Sequence, residues 1–140
     1  MNVAEFGRYA DTHPEIDREL DDKVLDRAQQ GHAVVEGRMT SYLVRKNKIP
    51  ALKVRIDAAP EVRAERVAGR ENLDKEKALL DIEERDACDQ KRYLNLYGVD
   101  PLEDKWYNII IDNSEIQPEE AVKRVLNLFE RFKHGNTDIA

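Results

Sequence analysis

Leu52-Lys53-Val54-Arg55-Ile56-Asp57-Ala58-Ala59-Pro60 decides the fold. Apolar and polar residues alternate, which is the period of a half-buried strand, and Pro60 then brings the fixed φ of a first helical turn. The pattern predicts a strand over 52–58 and a helix from Pro60 that Gly69 ends. The same grammar returns at Asn108-Ile109-Ile110-Ile111-Asp112. A turn at Asn113-Ser114 follows, and Pro118-Glu119-Glu120 opens a last helix whose Val122, Val125, Leu126, Phe129 and Phe132 share one apolar face. Upstream, the apolar run Ala33-Val34-Val35 reads as a third, buried strand leading into Gly37-Arg38. Strands alternating with helices imply parallel pairing and an α/β layer fold. Three strands make a thin sheet, and a run such as 108–111 expects cover on both faces.

The remaining segments read as helices. Residues 1–11 form a short opening helix. Over 14–30, Ile16, Leu20, Val24 and Ala28 recur every fourth residue beside Leu25, the mark of an amphipathic helix. Thr12 and Glu15 have capping-box spacing, Pro14 suits the first turn, and Gly31 supplies the stop. A long polar helix is expected over 74–96, closed by Tyr97-Gly98, and the tail from Gly135 is expected to fray. With 140 residues, one domain is expected.

Composition narrows the function. The chain is 37% charged, 41% hydrophobic and 6% aromatic, a helix-rich globular balance rather than a disordered one. A net charge of −6 argues against a general nucleic-acid binder, which needs a basic face. No run reaches membrane-spanning length, and the N-terminus lacks a basic-then-apolar leader pattern. The single cysteine, Cys88, excludes a disulfide framework, fits a reducing cytosol and reads as a packed thiol. A cytoplasmic protein is expected. His13, His32 and His134 are dispersed, without metal-ligand spacing. Trp106 and Tyr107 are expected to anchor the last strand.

Three groups of residues could carry chemistry. Arg85, Asp89 and Arg92 sit at i, i+4 and i+7, so they project from one helix face. Two planar guanidiniums around a carboxylate suit bidentate capture of phosphate; a solvated face laced with i,i+4 salt bridges would show the same spacing. Glu36-Gly37-Arg38 falls at the carboxyl end of an expected strand, where open α/β sheets place ligands. A surface turn with a solvated arginine is the alternative there. Arg63, Arg66 and Arg70 follow the turn of the helix after Pro60, interleaved with Glu61, Glu65 and Glu71, and a mixed-charge exposed helix would read the same way.

The segment Glu84-Arg85-Asp86-Ala87-Cys88-Asp89-Gln90-Lys91-Arg92-Tyr93 resembles the R-D-x-x-D-x-x-R helix of cytidylate kinases. Tyr97-Gly98-Val99-Asp100, Glu5-Phe6-Gly7-Arg8-Tyr9-Ala10 and His13-Pro14-Glu15-Ile16-Asp17 are similar to the archaeal branch of that family. The resemblance runs from about Met1 to about Phe132. It implies a P-loop nucleoside monophosphate kinase-like parallel sheet with flanking helices, and phosphoryl transfer from ATP to CMP or dCMP with magnesium. By the same resemblance, 1–31 would be the monophosphate-binding helices, 32–58 and 108–134 the core, and 60–98 the lid region and long helix. Gly37 and Arg38 would bind substrate together with Arg85, Asp89, Arg92 and Arg8. Arg38 and Arg92 would hold the acceptor phosphate, Arg85 with Asp89 would order the nucleotide, and Arg66 and Arg70 would cover the transfer from the lid. Asp112-Asn113-Ser114 is similar to a loop near the donor base, although a turn predicts those residues equally.

Two departures stand out. Bacterial members often follow Gly-Arg with an aspartate implicated in reading cytosine, whereas this chain has Met39-Thr40. A phosphate loop needs Gly-x-x-x-x-Gly-Lys-Ser/Thr, and none of the glycines at 7, 31, 37, 69, 98 and 135 meets it. Against the family, Met1 falls at an interior position, which implies a sheet incomplete at the N-terminus and a truncated chain inactive alone. Uncovered strand edges and helix faces would then favour self-association. An adenylate kinase-like enzyme, or a non-catalytic nucleotide-binding or oligomerisation relative, are the alternatives.

Overall fold

The structure is a computed structural model and describes residues 3–135. In chain order the elements are α1 (Val3–Thr12), α2 (Pro14–Gln29), α3 (Thr40–Lys46), β1 (Val54–Asp57), α4 (Pro60–Glu71), α5 (Lys75–Tyr97), β2 (Ile109–Asp112) and α6 (Pro118–Lys133), with a 3₁₀ turn over Asp104–Trp106. The chain is a mixed α/β protein with a small parallel sheet.

β1 and β2 pair in parallel, with Val54 opposite Ile109 and Asp57 opposite Asp112. Side chains finish the ladder at both ends. The Lys53 amide donates to Asn108 Oδ1 at 2.8 Å, and the Ala59 amide to the Ser114 hydroxyl at 2.8 Å. The third strand expected at 33–35 is not formed: 33–37 is irregular, and Val34 is fully exposed. Gly31 and His32 both take positive φ, 70° and 50°, and Arg27 fixes the turn by donating to the Gly31 carbonyl at 3.0 Å. Three apolar residues give strand propensity, but a strand also needs a neighbour for its amides.

Two helix boundaries differ from expectation for local reasons. Thr12 is the last residue of α1 rather than a cap of α2; its hydroxyl donates back to the Tyr9 carbonyl at 3.0 Å, and His13 stands at the N-cap with its ring turned back to the Tyr9 carbonyl at 2.8 Å instead of capping α2. Helix α4 runs through Gly69 to Glu71 and stops where Asn72 adopts the left-handed conformation, φ 54° and ψ 48°. Asparagine tolerates that region better than most residues, so it ends the helix in glycine's place.

Contacts divide the chain into two compact units: residues up to Pro50 with Leu80–Glu103, and Ala51–Leu79 with residues from Asp104 onward. Helix α5 supplies its first residues to one and the rest to the other. The first unit is centred on Ala10, Met39, Tyr42, Leu43, Val44 and Tyr93, all buried. The second buries Ala64, Ala78, Ile111 and Ala121. There α6 sets Ala121 inward, yet Val122, Leu126 and Phe129 of its apolar face stay about half exposed. No helix among the described residues is long and apolar enough to cross a membrane.

Candidate functional site

Helical periodicity brings Arg85, Asp89 and Arg92 to one face of α5, and Asp89 becomes the centre of a charge cluster in the first unit. Arg92 Nη2 donates to Asp89 Oδ1 at 2.9 Å, and Arg38 Nη1 lies 2.6 Å from Asp89 Oδ2 and 3.3 Å from Asp86 Oδ1. On the far side, Arg92 Nε stands 3.3 Å from Asp17 Oδ2 on α2. The side chains of Asp17, Arg92 and Asp89 are only 8%, 10% and 12% exposed, so each charge depends on the others for compensation. Arg38 is different: at 36% exposure it forms the wet edge of the cluster.

Burial leaves a clear electrostatic mark. Desolvation pushes the Asp17 carboxyl above its ordinary value; Arg92 opposes that shift, while Asp89 and Asp11 add to it. Asp21, one turn along α2, is also raised by desolvation, partly offset by the hydrogen bond it accepts from the Tyr97 hydroxyl. The Tyr97 and Tyr93 hydroxyls are pushed up, chiefly by burial. All four groups therefore favour their neutral forms more than they would in water.

Gly37 is required by close approach. A Cβ built there would sit 2.6 Å from Thr40 Oγ1, too near for any side chain without movement. The absence of that carbon lets the chain turn tightly from Glu36 into α3 and carries Arg38 to Asp86 and Asp89. Thr40 Oγ1 ends up buried without a hydrogen-bond partner. Beside this turn lies a cavity of about 420 Å³, walled by Asp17 and Asp21 of α2, the segment 35–40 and Tyr93. A guanidinium at its rim and polar groups in its wall suit a ligand with an anionic end and a hydrogen-bonding end.

The expected site residues are distributed unevenly. Arg38, Gly37, Asp89 and Arg92 come together. Arg85 is more than half exposed, 3.9 Å from Asp89 Oδ2. Arg8 is exposed on α1, next to Gly7, whose Cβ position is 4.0 Å from Arg92 Nη1. Arg66 and Arg70 belong to the second unit. Arg66 donates to Asn113 Oδ1 at 2.9 Å and to the Asn113 carbonyl at 2.8 Å, beside a cavity of about 640 Å³ lined by residues 113–118; Arg70 pairs with Glu71 at 2.9 Å. Cys88 is exposed rather than packed: it borders the half-exposed Arg85 edge of α5, where no other element covers it enough to bury the thiol. Asp17, Asp21 and Thr40 were not read from the pattern. The available signal was Asp17 and Asp21 at i,i+4 flanking the Ile16-Leu20-Val24 stripe, acids next to an apolar seam. Among the described residues no group of three or more His, Cys, Asp or Glu could hold a metal ion.

A model of the cytidylate kinase-like family matches residues 2–115. The cytidylate kinase of Pyrococcus horikoshii is 45% identical over 119 residues, which covers 85% of this chain and 60% of that protein. That of Pyrococcus abyssi is 45% identical over 119 residues, 85% of this chain and 64% of the relative. That of Methanocaldococcus jannaschii is 39% identical over 134 residues, 95% of this chain and 75% of the relative. The chain thus spans about 60% of the length of the Pyrococcus horikoshii protein. No solved structure matches it. With the match covering most of the sequence and the R-D-x-x-D-x-x-R face assembled in the fold, the chain belongs to the archaeal-type branch of the cytidylate kinase-like family.

Proposed function

We propose that these residues form the acceptor side of a CMP/dCMP kinase with the nucleoside monophosphate kinase fold, acting in the cytoplasm with ATP and magnesium. The observation that carries the reading is the Arg38-Asp89-Arg92 cluster beside the cavity of about 420 Å³. Phosphoryl transfer asks a protein mainly to position two nucleotides and neutralise charge. Asp89 holds both guanidiniums at fixed angles, so that Arg38 can exchange its contact with Asp86 for a phosphate oxygen while Arg92 stays in place. Arg85 and Arg8 add positive charge around that acceptor site. Arg66 and Arg70 act on the transfer side, with Arg66 anchored to the loop after β2.

ATP and magnesium need a holder of a different kind. The sequence of 140 residues contains no Gly-x-x-x-x-Gly-Lys-Ser/Thr, the loop whose amides, lysine and hydroxyl would cradle the ATP phosphates and their magnesium. This sequence by itself therefore binds the acceptor without turning it over. Titration of the 140-residue chain with CMP, using AMP and UMP as comparators, should give saturable CMP binding. Arg38→Ala should weaken it about 10- to 150-fold, the range for a charge-assisted hydrogen bond. Unchanged CMP affinity in Arg38→Ala would remove Arg38 from the site, tighter binding of AMP would favour an adenylate kinase-like enzyme, and transfer from ATP to CMP by this chain would disprove the split between binding and turnover.

A second reading, self-association, is favoured by the half-exposed Val122, Leu126 and Phe129 of α6. Sedimentation should show a dimer or larger species that Leu126→Glu dissociates; a monomer at tens of micromolar would end that reading.

A further inference from the structure

We infer that Asp21, held in place by Tyr97, reads the base of the acceptor nucleotide by accepting a hydrogen bond from its exocyclic amino group, selecting cytosine over uracil. The inference rests on the acceptor-site reading above and deepens it.

Asp21 lines the cavity that Arg38 rims, and it stands outside the sealed charge cluster. The residue is half-buried, and its Oδ2 accepts from the Tyr97 hydroxyl. Among the described residues no donor reaches Oδ1, yet Oδ1 is not one of the buried atoms left without a partner. It therefore keeps accessible surface. Leu20, Asp21 and Val24 all line the cavity, so this face of α2 is its wall and the open oxygen belongs to that wall.

The helix pairing sets Asp21 and Arg38 at opposite ends of the site. Along α5, Arg38 meets Asp86 and Asp89, Asp17 meets Arg92, and Asp21 meets Tyr97. Asp89 and Tyr97 are eight positions apart, about 12 Å along the axis at the α-helical rise. A nucleoside monophosphate has that reach. With its phosphate at Arg38, the sugar falls mid-cavity and the base arrives at Asp21. Leu20, Val24 and Val35 offer apolar wall to the faces of a flat ring, which leaves its edge for the carboxylate.

Tyr97 decides what Asp21 presents. Its ring packs against Tyr42, centroids 5.8 Å apart, so the hydroxyl is a fixed donor. A carboxylate only accepts, and with Oδ2 engaged it cannot grip a sugar diol through both oxygens. The single acceptor that remains suits the N4 amino group of cytosine, whereas the 4-carbonyl of uracil would set oxygen against oxygen. A site built to accept from an amino group rejects the analogue without one, because its own polar atom is then left unpaired. Other wall groups fit less well. Asp17 is spent on Arg92 and Glu36 is exposed. Lys23 and Arg27 only donate, and already do so to Glu19 and the Gly31 carbonyl.

The test is calorimetric binding of CMP, UMP and ribose 5-phosphate to the 140-residue chain and to its Asp21→Asn, Tyr97→Phe and Arg38→Ala variants, with melting temperatures for each. The wild type should prefer CMP to UMP. Asp21→Asn should cut that preference about 10-fold or more. Tyr97 then holds the carboxamide oxygen and turns the amide nitrogen into the cavity, so UMP should bind more tightly than to the wild type. Tyr97→Phe frees the carboxylate to rotate and should lower the CMP-to-UMP ratio several-fold. Neither variant should change the affinity for ribose 5-phosphate, which Arg38→Ala should lower; a merely structural role would weaken all three ligands together. An unaltered ratio in a folded Asp21→Asn protein overturns the inference, as does equal affinity of the wild type for CMP and UMP, and both leave the acceptor site standing. A loss of ribose 5-phosphate affinity in Asp21→Asn that matches its loss of CMP affinity would put the carboxylate on the sugar and overturn the base reading. Should Asp21→Asn not fold, an unaltered ratio in Tyr97→Phe overturns it instead. Failure of the wild type to bind CMP and ribose 5-phosphate alike would overturn the acceptor-site reading, and this inference with it.

Discussion

Arg92 and Arg66 are both helical arginines that reach across to another segment, and the two units treat them in opposite ways. Arg92, in the first unit, is 10% exposed and lies between two carboxylates, Asp89 at 2.9 Å and Asp17 at 3.3 Å. Arg66, in the second, is exposed and donates to the neutral amide oxygen and carbonyl of Asn113, at 2.9 and 2.8 Å. A guanidinium removed from water needs opposite charge, because the low-dielectric surroundings cannot screen it. One left in water can satisfy its donors with neutral oxygens and act as a latch on a loop. The lesson is that the same residue type serves as stored charge in one unit and as a clip in the other, and burial decides which.

The comparison is most exposed to denaturant unfolding. Arg92→Ala leaves Asp17 buried without a cation, while Asp89 keeps Arg38 at 2.6 Å; removing one partner of a buried pair typically costs about 3–5 kcal/mol. The raised pKa of Asp17 lets it take up a proton, so the lower end, about 3 kcal/mol, is expected. Arg66→Ala loses exposed hydrogen bonds and should cost at most about 1 kcal/mol. Equal losses in the two variants would mean that the first-unit cluster is not dry, and the distinction between stored charge and clip would fail.

Much of this arrangement could be read from the sequence, and the failures share a cause. The alternation in 52–58, the isoleucine run after Asn108 and the prolines at 14, 60 and 118 carry their own local signal, so β1, β2 and the starts of α2, α4 and α6 fall where expected. The Arg85-Asp89-Arg92 face is likewise a property of one helix. The strand expected at 33–35 failed because pairing depends on a partner elsewhere, which a run of three apolar residues cannot report. Helix α3 gave no period because Tyr42, Leu43 and Val44 are consecutive and all buried, so no polar face marks its turn. Asp17 was missed for the same reason: its neighbours in sequence describe an amphipathic helix, and only the approach of α5 turns its carboxylate into a buried group. The fate of Gly37 was half legible, since glycine signals close approach but does not say that Thr40 is what approaches.

The smallest expected effect sharpens the contrast through carboxylates rather than arginines. In the first unit desolvation raises Asp17 and Asp21 above 3.8, the ordinary value. In the second, Asp112 is exposed and is lowered below 3.8 by its hydrogen bonds from Ser114, whose amide donates at 2.8 Å. The signs follow from which state holds the proton more tightly. For Asp17 and Asp21 the folded state does, so their contribution is fully present below 3.8 and is lost as pH rises through the folded value. For Asp112 the unfolded state does, so its contribution is present above 3.8 and is lost as pH falls through the folded value. Melting curves between pH 7 and pH 3 should separate the two. Relative to Asp17→Asn, the wild type should gain stability on acidification toward pH 4, whereas relative to Asp112→Asn it should lose stability only below about pH 4. Parallel curves for the wild type and Asp17→Asn would show that Asp17 meets water in the folded protein, and the buried half of the comparison would then reduce to Asp89 and Arg92 alone.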